Sequence, residues 1–500
     1  MNRKNNTMTC QRNHNIFAAI LRLQPAKPSL LLLSSALLIN GCNFTTPIPD
    51  TPLNLPQDYS QTTTAEQTSP LPDQWWQTFN DPALNLIIEE ALVHNFNIRS
   101  SWARIEQARA TAIQAGAALY PNVDFTSRGS RTRNEINSPS SPGQPANTTY
   151  SNSFSVGLAA SYEIDLWSRI QTSQQASVAE LNASKLDLQA AAITLSSQIT
   201  SNWYKLIDQH QQRRILNQQI EVNEKHLEVL QVRFNAGLIG APDILQQKQL
   251  LESTIASRYQ VDSQIEVIEN QLAILLGYPP NEATFDVPEN LPSLPPLPNT
   301  GIPADLLNRR PDVLAAYMRV EASNYRIASA IADRLPKLSL TVSGSTDAAH
   351  LEDLFDNWLA TFAANIAEPI FDAGRKEAEV DKQKAINEIN FASWNQTILT
   401  ALQDVENALV QEKNQQSYLE SLRSQLKIAT AVEEETRNNY YKGNGDFLRV
   451  LNAQQSLQNL QRQVSTAHQQ LIEHRVSLCR ALAGGWDMQK PQPLTTTKTN

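Results

Sequence analysis

The sequence predicts a mainly α-helical, elongated protein with an internal two-fold repeat and four strands suited to a membrane β-barrel. Two stretches with few helix breakers, 167–236 and 374–441, would give helices of roughly 100 Å at the usual rise per residue. A compact globule has no room for such a helix, so we expect a coiled coil or a helical tube. The same order of elements occurs twice, and in each copy a segment with the two-residue period of strands precedes the long helices.

The repeat is visible residue by residue. Each copy has an arginine after its second strand, a glycine at the turn between its long helices, and a leucine eight residues later. Three pairs share a separation of 206 positions: Arg169 and Arg375, Gly237 and Gly443, Leu245 and Leu451. A fixed separation marks repeated structural units and must be recognised before the fold is assigned. We divide the chain into a signal peptide 1–41, an extended tether 42–73, a first repeat 74–280, a proline-rich connector 281–303, a second repeat 304–486 and a tail 487–500.

The elements follow one plan in both repeats. Asp81 followed by Pro82 is a typical helix start, and the residue before Pro121 disfavours helical dihedrals, so a helix is expected over 82–118. A β-hairpin spans 122–164, with its loop over 134–149, and helices over 167–236 and 243–276 follow. The second repeat has a helix over 304–335, a hairpin over 337–370, and helices over 374–441 and 446–482.

The last helix has the most regular apolar seam, which indicates coiled-coil packing. In the matching helix of the first repeat, Gln247, Thr254 and Arg258 interrupt the seam. We interpret His474, which lies in the last seam, as a packed histidine and not as a ligand. The seam residues have three- and four-residue spacing: Val450, Ala453, Leu457, Leu460, Val464, Ala467, Leu471, His474, Leu478 and Ala481.

The N-terminal leader is predicted to export the chain. Basic residues precede an apolar run over 30–39, which is shorter than the roughly 20 residues that a membrane-spanning helix needs. The run ends in Ile39-Asn40-Gly41-Cys42, which resembles a bacterial lipobox and implies that Cys42 carries lipid as the first mature residue. Asn43 in place of aspartate favours the outer membrane under the sorting rule of such lipoproteins. The alternative is an ordinary secretory signal followed by an unmodified cysteine.

Charge and composition exclude several classes of function. The net charge is −9, and loss of the five basic leader residues would leave the mature chain near −14, which argues against nucleic-acid binding. Cys479 is the only cysteine beyond Cys42, so no internal disulfide is expected. The sequence lacks metal-ligand spacing, a nucleophile elbow, a phosphate loop and paired catalytic carboxylates. We therefore predict that the chain has no catalytic, metal-binding or cofactor-binding residues and that the protein is not an enzyme.

The strand segments place apolar residues on one face and polar residues on the other, as membrane strands do. Four strands cannot close a barrel, and open sheet edges are not tolerated in lipid. Membrane insertion would therefore need several copies, of which two would supply eight strands and three would supply twelve. The pattern itself leaves both numbers open, and the alternative is a pair of soluble hairpins packed on a helical domain.

The segment 301–316, with Arg309-Arg310-Pro311-Asp312 at its centre, resembles the start of the second repeat in the TolC-like outer-membrane efflux factors. The similarity is to their lipoprotein (NodT-type) branch, which serves resistance-nodulation-division pumps, and 162–167 and 368–375 support it. It implies a homotrimer whose strands form a twelve-stranded barrel in the outer-membrane lipid, and whose coiled-coil helices form an α-barrel across the periplasm.

The resemblance also implies a function and partners. The function is an exit duct for drugs or other small molecules, and the partners are a periplasmic adaptor protein and an inner-membrane pump. Two alternatives stay open, namely the duct of a type I protein secretion system and a lipid-tethered periplasmic coiled-coil scaffold. The four motif residues Arg309, Arg310, Pro311 and Asp312 are expected to form a helix start held by ion pairs.

By the same resemblance, the two turns are periplasmic tips that dock the adaptor, through Gly237, Gly240, Gly443 and Gly445. The family closes its tunnel there and commonly places aspartates on the helix after the second turn. This chain departs from that pattern, since Arg449 and Asn452 hold the matching positions.

We therefore expect a gate lined by Arg449 and Asn452. Tyr440 keeps the aromatic residue before the second turn, and Asp243 matches an acidic residue that braces the closed tip in some relatives. The alternative is that Arg449 turns aside and pairs with Asp446 or with a neighbouring helix.

Overall fold

The computed structural model describes residues 44–60, 68–69, 71–136, 147–280 and 282–490. The predicted signal peptide, Cys42 and most of the C-terminal tail lie outside the described residues. The chain divides into two compact units. The strand unit holds Pro121–Arg169 and Ala332–Ile370, and the helical unit holds Thr45–Tyr120, Ile170–Ile331 and the chain from Phe371 onward.

The strand unit is built on one antiparallel sheet in the order β1-β2-β3-β4. Its strands are β1 Asn122–Ile136, β2 Asn147–Ile164, β3 Lys337–Ala348 and β4 Trp358–Ala367, and a short 3-10 turn, Leu351–Asp353, lies between the last two. The two hairpins are confirmed. The first spans the predicted 122–164, but its strands are longer than expected, because pairing continues to Asn134↔Thr149 and Ile136↔Asn147, inside the segment expected to be loop.

Strand register places the apolar residues on one face. Phe125 lies opposite Leu158, and Val342 lies opposite Phe362, and directly opposed residues of an antiparallel pair share a face. This face is solvent-accessible along its length within one copy of the chain. Several of its large apolar and aromatic side chains are more than half exposed, among them Val123, Phe125, Leu158, Val342, Phe362 and Ile366.

Polar contacts connect the end of the first hairpin with the start of the second. The Trp167 indole N–H donates to the Pro336 carbonyl oxygen at 2.8 Å. The Arg169 guanidinium lies 2.7 Å from Glu163 Oε1 and 3.9 Å from Asp333 Oδ1. The end of β2 is thereby held against the start of β3.

The helical unit begins with a 3-10 turn, Trp75–Phe79, followed by α1 Pro82–His94 and α2 Phe96–Ala117. Asp81 caps α1 as predicted, since its Oδ1 accepts from the Leu84 N–H at 3.1 Å. The single helix expected over 82–118 is wrong, because the chain is extended at Asn95 (ψ 128°). The Asn95 side chain accepts from the backbone N–H groups of the next turn and so caps a new helix.

Four long helices carry the repeat: α3 Arg169–Asn235, α4 Ala241–Leu276, α6 Arg375–Tyr441 and α7 Phe447–Leu482, with α5 Pro311–Ala332 between the pairs. Helices α3 and α6 each have 67 residues, and α4 and α7 each have 36. Both ends of each pair are 206 positions apart, which confirms the repeat read from the sequence.

The helix expected over 304–335 is also interrupted. A 3-10 turn, Pro303–Asp305, and one α-helical turn, Leu306–Arg309, precede α5. Arg310 is extended (ψ 120°), because the ring of a following proline, here Pro311, disfavours helical dihedrals.

Two apolar clusters form much of the core of the helical unit. The first gathers Trp75, Trp76 and Phe79 against Trp203 and Tyr204. The Trp203 indole donates to Asp81 Oδ2 at 2.8 Å, so the residue that caps α1 also binds α3. The second cluster gathers α5, α6 and α7 around Val313, Trp394 and Leu478.

Two segments without long regular elements lie along these helices. The part of the expected tether over 45–60 is extended, but it packs: the Ser60 N–H donates to Glu406 Oε1 at 2.9 Å, and Thr51 Oγ1 donates to Asn395 at 2.6 Å. The connector before α5 is held by Arg475, whose Nη1 donates to the Pro296 carbonyl at 2.9 Å. Its Leu297–Pro298 also forms a short parallel pair with Thr68–Ser69.

Candidate functional site

Glycines in the left-handed region end the two longest helices. Gly237 has φ 73° and Gly443 has φ 79°, where a Cβ would be strained. After α3 the Leu238 N–H donates to the Arg233 carbonyl at 2.9 Å, and after α6 the Asn444 N–H donates to the Asn439 carbonyl at 3.0 Å. Both are six-to-one closures of the Schellman type, so the two turns share one geometry.

The other two glycines of the turns have different reasons to be glycine. Gly240 has an ordinary extended conformation and caps α4. A Cβ at Gly445 would lie 3.2 Å from the backbone nitrogen of Tyr440, so the chain after the second turn passes close to the end of α6. The turn glycines thus hold the ends of the helix pairs close together.

The helix ends beside the two turns pack into one apolar cluster, here called the tip cluster. Tyr440 is its aromatic centre, with its ring centroid 5.7 Å from that of Phe447 and 4.5 Å from the Arg233 guanidinium. Ile239 and Ile244 pack at its edge. Each of α3, α4, α6 and α7 contributes to the buried set: Leu230, Leu250, Tyr440, Phe447, Val450 and Leu451.

Electrostatics at the tip cluster centre on the Tyr440 hydroxyl. Burial raises the pKa of Tyr440, Arg233 opposes that rise, and the negative charges of Asp243 and Asp446 add to it. The hydroxyl is buried and has no hydrogen-bond partner among the described residues. Asp243 is therefore close enough to act on Tyr440 through its charge, but the expected bracing contact is not a hydrogen bond in one copy of the chain.

The predicted gate residues lie on α7 just beyond this cluster. Asp446 caps α7, accepting from the Leu448 N–H at 3.2 Å. Arg449 and Asn452 are both exposed, on the side of α7 opposite the buried Val450 and Leu451. Arg449 forms no ion pair with any residue that the structure describes, so the alternative of an Asp446 pair is absent within one copy.

The Arg309–Asp312 motif forms a compact ion-pair site at the start of α5. Arg310 Nε lies 3.0 Å from Asp312 Oδ1 and Nη2 lies 2.6 Å from Oδ2, a bidentate pair, while Nη1 lies 3.1 Å from Asp404 Oδ2 on α6. Burial alone would lower the pKa of Arg310, but the two carboxylates outweigh it and raise the pKa. Pro311 is buried, whereas Arg309 is exposed, so the motif's two arginines have different environments.

A buried polar seam between α3 and α7 was not predicted. Asn223 Oδ1 accepts from Gln458 Nε2 at 2.9 Å, and Ser465 Oγ donates to Asp208 Oδ1 at 2.6 Å. In each helix the seam residues follow a four-seven-four spacing, which was the available signal. The set is at most 5% exposed: Asp208, Gln212, Gln219 and Asn223 on α3, and Gln454, Gln458, Ser465 and Gln469 on α7.

Neither a metal site nor a membrane-spanning helix is present among the described residues. No group of three or more His, Cys, Asp or Glu side chains among them is arranged to hold a metal ion. None of the described helices combines the length and apolar character needed to cross a bilayer.

The repeated helix-and-hairpin plan decides the family. A family model described as outer membrane efflux protein matches residues 87–278 and 302–484, one segment for each repeat. The chain belongs to the outer membrane efflux protein family. The resemblance found in the sequence is thereby confirmed, and with it the expectation of an efflux channel of the outer membrane.

Relatives along the full chain support this assignment. The pyoverdine export outer membrane protein OpmQ of Pseudomonas putida is 30% identical over 469 residues, which cover 92% of this chain and 98% of that protein. The toluene efflux pump outer membrane protein TtgC of Pseudomonas putida is 27% identical over 478 residues, 93% of this chain and 97% of that protein.

A solved structure has the same fold. The outer-membrane channel OprN matches with a TM-score of 0.79 at 29% sequence identity, covering 88% of this chain and 99% of that one. The expected mainly helical fold with strands that belong to a channel barrel is confirmed. The family is one of channels, and the comparisons indicate no catalytic family.

Proposed function

We propose that three copies of this chain form the outer-membrane duct of a tripartite efflux system. The observation that carries the proposal is the sheet: β1 and β4 have no strand partner on their outer edges among the described residues, while one face is apolar and exposed. In hydrocarbon each unpaired backbone group costs several kcal/mol, so such a sheet must close with strands from other copies. Three copies supply twelve strands, whereas eight would leave little room for a lumen.

The long helices suit the same assembly. At 67 residues, α3 and α6 are each roughly 100 Å long. Three copies bring twelve helices from the two pairs α3–α4 and α6–α7. A ring of them suits an α-barrel that reaches across the periplasm.

The tips are the proposed docking surface for a periplasmic adaptor protein, which links the duct to an inner-membrane pump of the resistance-nodulation-division class. A Cβ at Gly237 or Gly443 would meet no atom within 4 Å, so the turns present open backbone to an approaching helical hairpin. Gly240 and Gly445 complete the two turns. An adaptor that binds the open state more tightly than the closed state would shift the gate toward opening.

The proposed gate is lined by Arg449 and Asn452, with Tyr440, Asp243 and Asp446 behind it. Both lining residues are exposed in one copy, so they are free to face the axis of a trimer. Three arginines near one axis repel cations, and we therefore propose a constriction without the acidic ring common in the family.

The cargo class follows from the relatives and not from a binding pocket. OpmQ is named for pyoverdine export and TtgC for toluene efflux. Drugs or other small molecules are therefore the proposed cargo.

Cys42 is the proposed lipid anchor in the outer membrane. Since pooled strands would carry the insertion, the lipid acts mainly in sorting and assembly. A Cys42→Ala variant that is still exported should give fewer trimers that conduct normally. Normal trimer levels with complete loss of conduction would contradict this role.

The main test is membrane fractionation of the full chain, followed by gel mobility with and without heating and by conductance in planar bilayers. We expect outer-membrane trimers that fall apart on heating and that open single channels. A soluble monomer would favour the tethered scaffold instead. Loss of secretion of one specific polypeptide on gene deletion, with drug sensitivity unchanged, would favour a type I secretion duct.

A further inference from the structure

The two free edges of the sheet belong to strands that run in opposite directions. The order β1-β2-β3-β4 is antiparallel throughout, so β1 and β4 are antiparallel to each other. The β4 edge of one copy can therefore pair with the β1 edge of the next without breaking the alternation. A second copy of this chain is thus a geometrically matched occupant of each edge.

The faces restrict the possible registers. On β1 the apolar face carries odd-numbered residues such as Val123 and Phe125, whereas on β4 it carries even-numbered residues such as Phe362 and Ile366. Opposed residues must share a face, so an even-numbered residue of β4 must lie opposite an odd-numbered residue of β1. Registers that place an even-numbered residue of β4 opposite an even-numbered residue of β1 are therefore excluded.

The repeat selects one of the remaining registers. Within one chain, β2 pairs with β3, that is, the second strand of one repeat pairs with the first strand of the other. The proposed pair between copies, β4 with β1, again joins a second strand to a first strand. The second strands, β2 and β4, precede the equivalent residues Arg169 and Arg375, so equivalent residues of these strands are 206 positions apart. The first strands of the two repeats begin at Asn122 and Lys337, so their equivalent residues are 215 positions apart. The helices before these strands have the same separation.

We propose that β4 pairs with β1 of the next copy in the register that places Ile370 opposite Val123. This pair is the repeat equivalent of the observed pair Ile164↔Leu338, because Ile370 lies 206 positions after Ile164 and Val123 lies 215 positions before Leu338. The inference rests on the proposed trimer. It requires that β4, which ends at Ala367 in one copy, gains residues up to Ile370 on assembly and covers that side chain, now 99% exposed.

The register gives acceptable neighbours over 358–366 of β4. In the extension that it requires, Glu368 lies opposite Phe125, and Pro369, which has no N–H to donate, lies opposite Asp124. The register opposes no like charges, and it sets Phe362 beside Arg131, an aromatic–cation pair. Further pairs on the apolar face are Ile366 with Ser127, Ala364 with Gly129, and Trp358 with Glu135. On the other face they are Asn365 with Arg128, Ala363 with Ser130, and Thr361 with Thr132.

The joint between copies differs from the joint within a chain. Within a chain, Trp167 and Asp333 contribute an indole hydrogen bond and an ion pair with Arg169. The matching positions hold Ala373 and Ala118, which can form neither contact. The joint between copies therefore depends on strand pairing and on the apolar contacts of Ile366 and Ile370.

Cysteine pairs in the full chain test the register. Directly opposed residues have Cα atoms about 4.5–5.5 Å apart, within disulfide reach, whereas diagonal neighbours lie beyond it. The test variant is Ala363→Cys with Ser130→Cys, and the slipped controls combine Ala363→Cys with Arg128→Cys or with Thr132→Cys. The control for oxidation is Ser161→Cys with Thr341→Cys, an observed pair within one chain.

After oxidation of outer-membrane trimers, we expect the test variant to shift to dimer and trimer masses on a denaturing gel without reductant. The slipped controls should stay at monomer mass, and the oxidation control should cross-link only within the chain. Cross-linking of a slipped control in preference to the test variant, or of none of the three while the oxidation control reacts, would overturn the register. Absence of trimers before oxidation would instead count against the proposed function.

Discussion

The guanidinium of Arg233 lies 4.5 Å from the ring centroid of Tyr440, so the end of α3 is held against the end of α6. Such a contact contributes on the order of 1 kcal/mol when it is partly desolvated. The Tyr440 ring also fills the centre of the tip cluster, whereas its hydroxyl has no hydrogen-bond partner among the described residues. The ring and the hydroxyl therefore have separable roles.

Removal of the ring should loosen the closed tip. For Tyr440→Ala we expect higher single-channel conductance and easier entry of a large antibiotic, because deletion of a buried aromatic side chain costs roughly 3 kcal/mol or more. For Tyr440→Phe we expect wild-type conductance, since the hydroxyl that is lost has no hydrogen-bond partner among the described residues. Opening by Tyr440→Phe would show that the hydroxyl binds a group of another copy in the assembled channel.

Reversal of the charge at Arg449 should change ion selectivity. If three arginines face the axis, Arg449→Glu replaces a positive ring with a negative ring, and the channel should become more cation-selective. The measurement is the reversal potential across a salt gradient. The matched control is Lys442→Glu, an exposed cation in the turn before α7 with the same change in net charge. Equal effects of both variants, or no effect of Arg449→Glu, would exclude an arginine ring.

Arg310 and Arg309 offer a matched pair of variants at the family motif. Arg310 contacts Asp312 and Asp404 with its side chain 12% exposed, whereas the two carboxylates are 38% and 30% exposed. Arg310→Ala removes charge-assisted hydrogen bonds to both and should cost roughly 1.5–3 kcal/mol. Arg309 is exposed, and Arg309→Ala should be close to neutral. Thermal unfolding of detergent-solubilised protein, followed by circular dichroism, compares them. Equal melting temperatures would contradict a stabilising role for Arg310.

The sequence predicted most helices and both hairpins, because residue periodicity and helix-breaking residues are local signals and the repeat supports them twice. Gly237 and Gly443 mark the helix ends, and Asp81 marks a start, through preferences of the residues themselves. The interruption at Arg310 had a local signal in the proline that follows it, which the helix expected over 304–335 did not take into account. The interruption at Asn95 depends on a side-chain cap that competes with helix, which the pattern does not reveal.

The candidate site could be predicted only partly from the sequence, because the burial of its residues depends on contacts between helices that are distant in the chain. Gln247 and Thr254, taken as interruptions of a seam, are buried: Gln247 Nε2 donates to the Asn223 carbonyl, and Thr254 Oγ1 accepts from Asn223 Nδ2. Counting apolar positions misses polar residues that satisfy one another across an interface. The bidentate Arg310–Asp312 pair matched the expected ion pairs, but its third member, Asp404, comes from another helix.

Asp208, in the polar seam, should make stability depend on pH. Burial raises the pKa of Asp208 above 3.8, and hydrogen bonds from Ser465, Gln212 and Gln209 only partly oppose that rise. The folded state therefore holds the proton more tightly than the unfolded state does. The stabilisation from this group is complete below pH 3.8 and is lost as the pH rises through the folded pKa.

Asp208→Asn removes this titration while keeping an oxygen that accepts from Ser465 Oγ. We expect the variant to melt at a higher temperature than the wild type at neutral pH, with the difference shrinking as the pH falls toward the unfolded value. Ser465→Ala should act in the opposite direction, because it deletes the bond that favours the carboxylate and leaves a larger cost at neutral pH. Melting curves across this pH range measure both effects. A melting temperature for Asp208→Asn at or below that of the wild type at neutral pH would contradict a destabilising charge at this position.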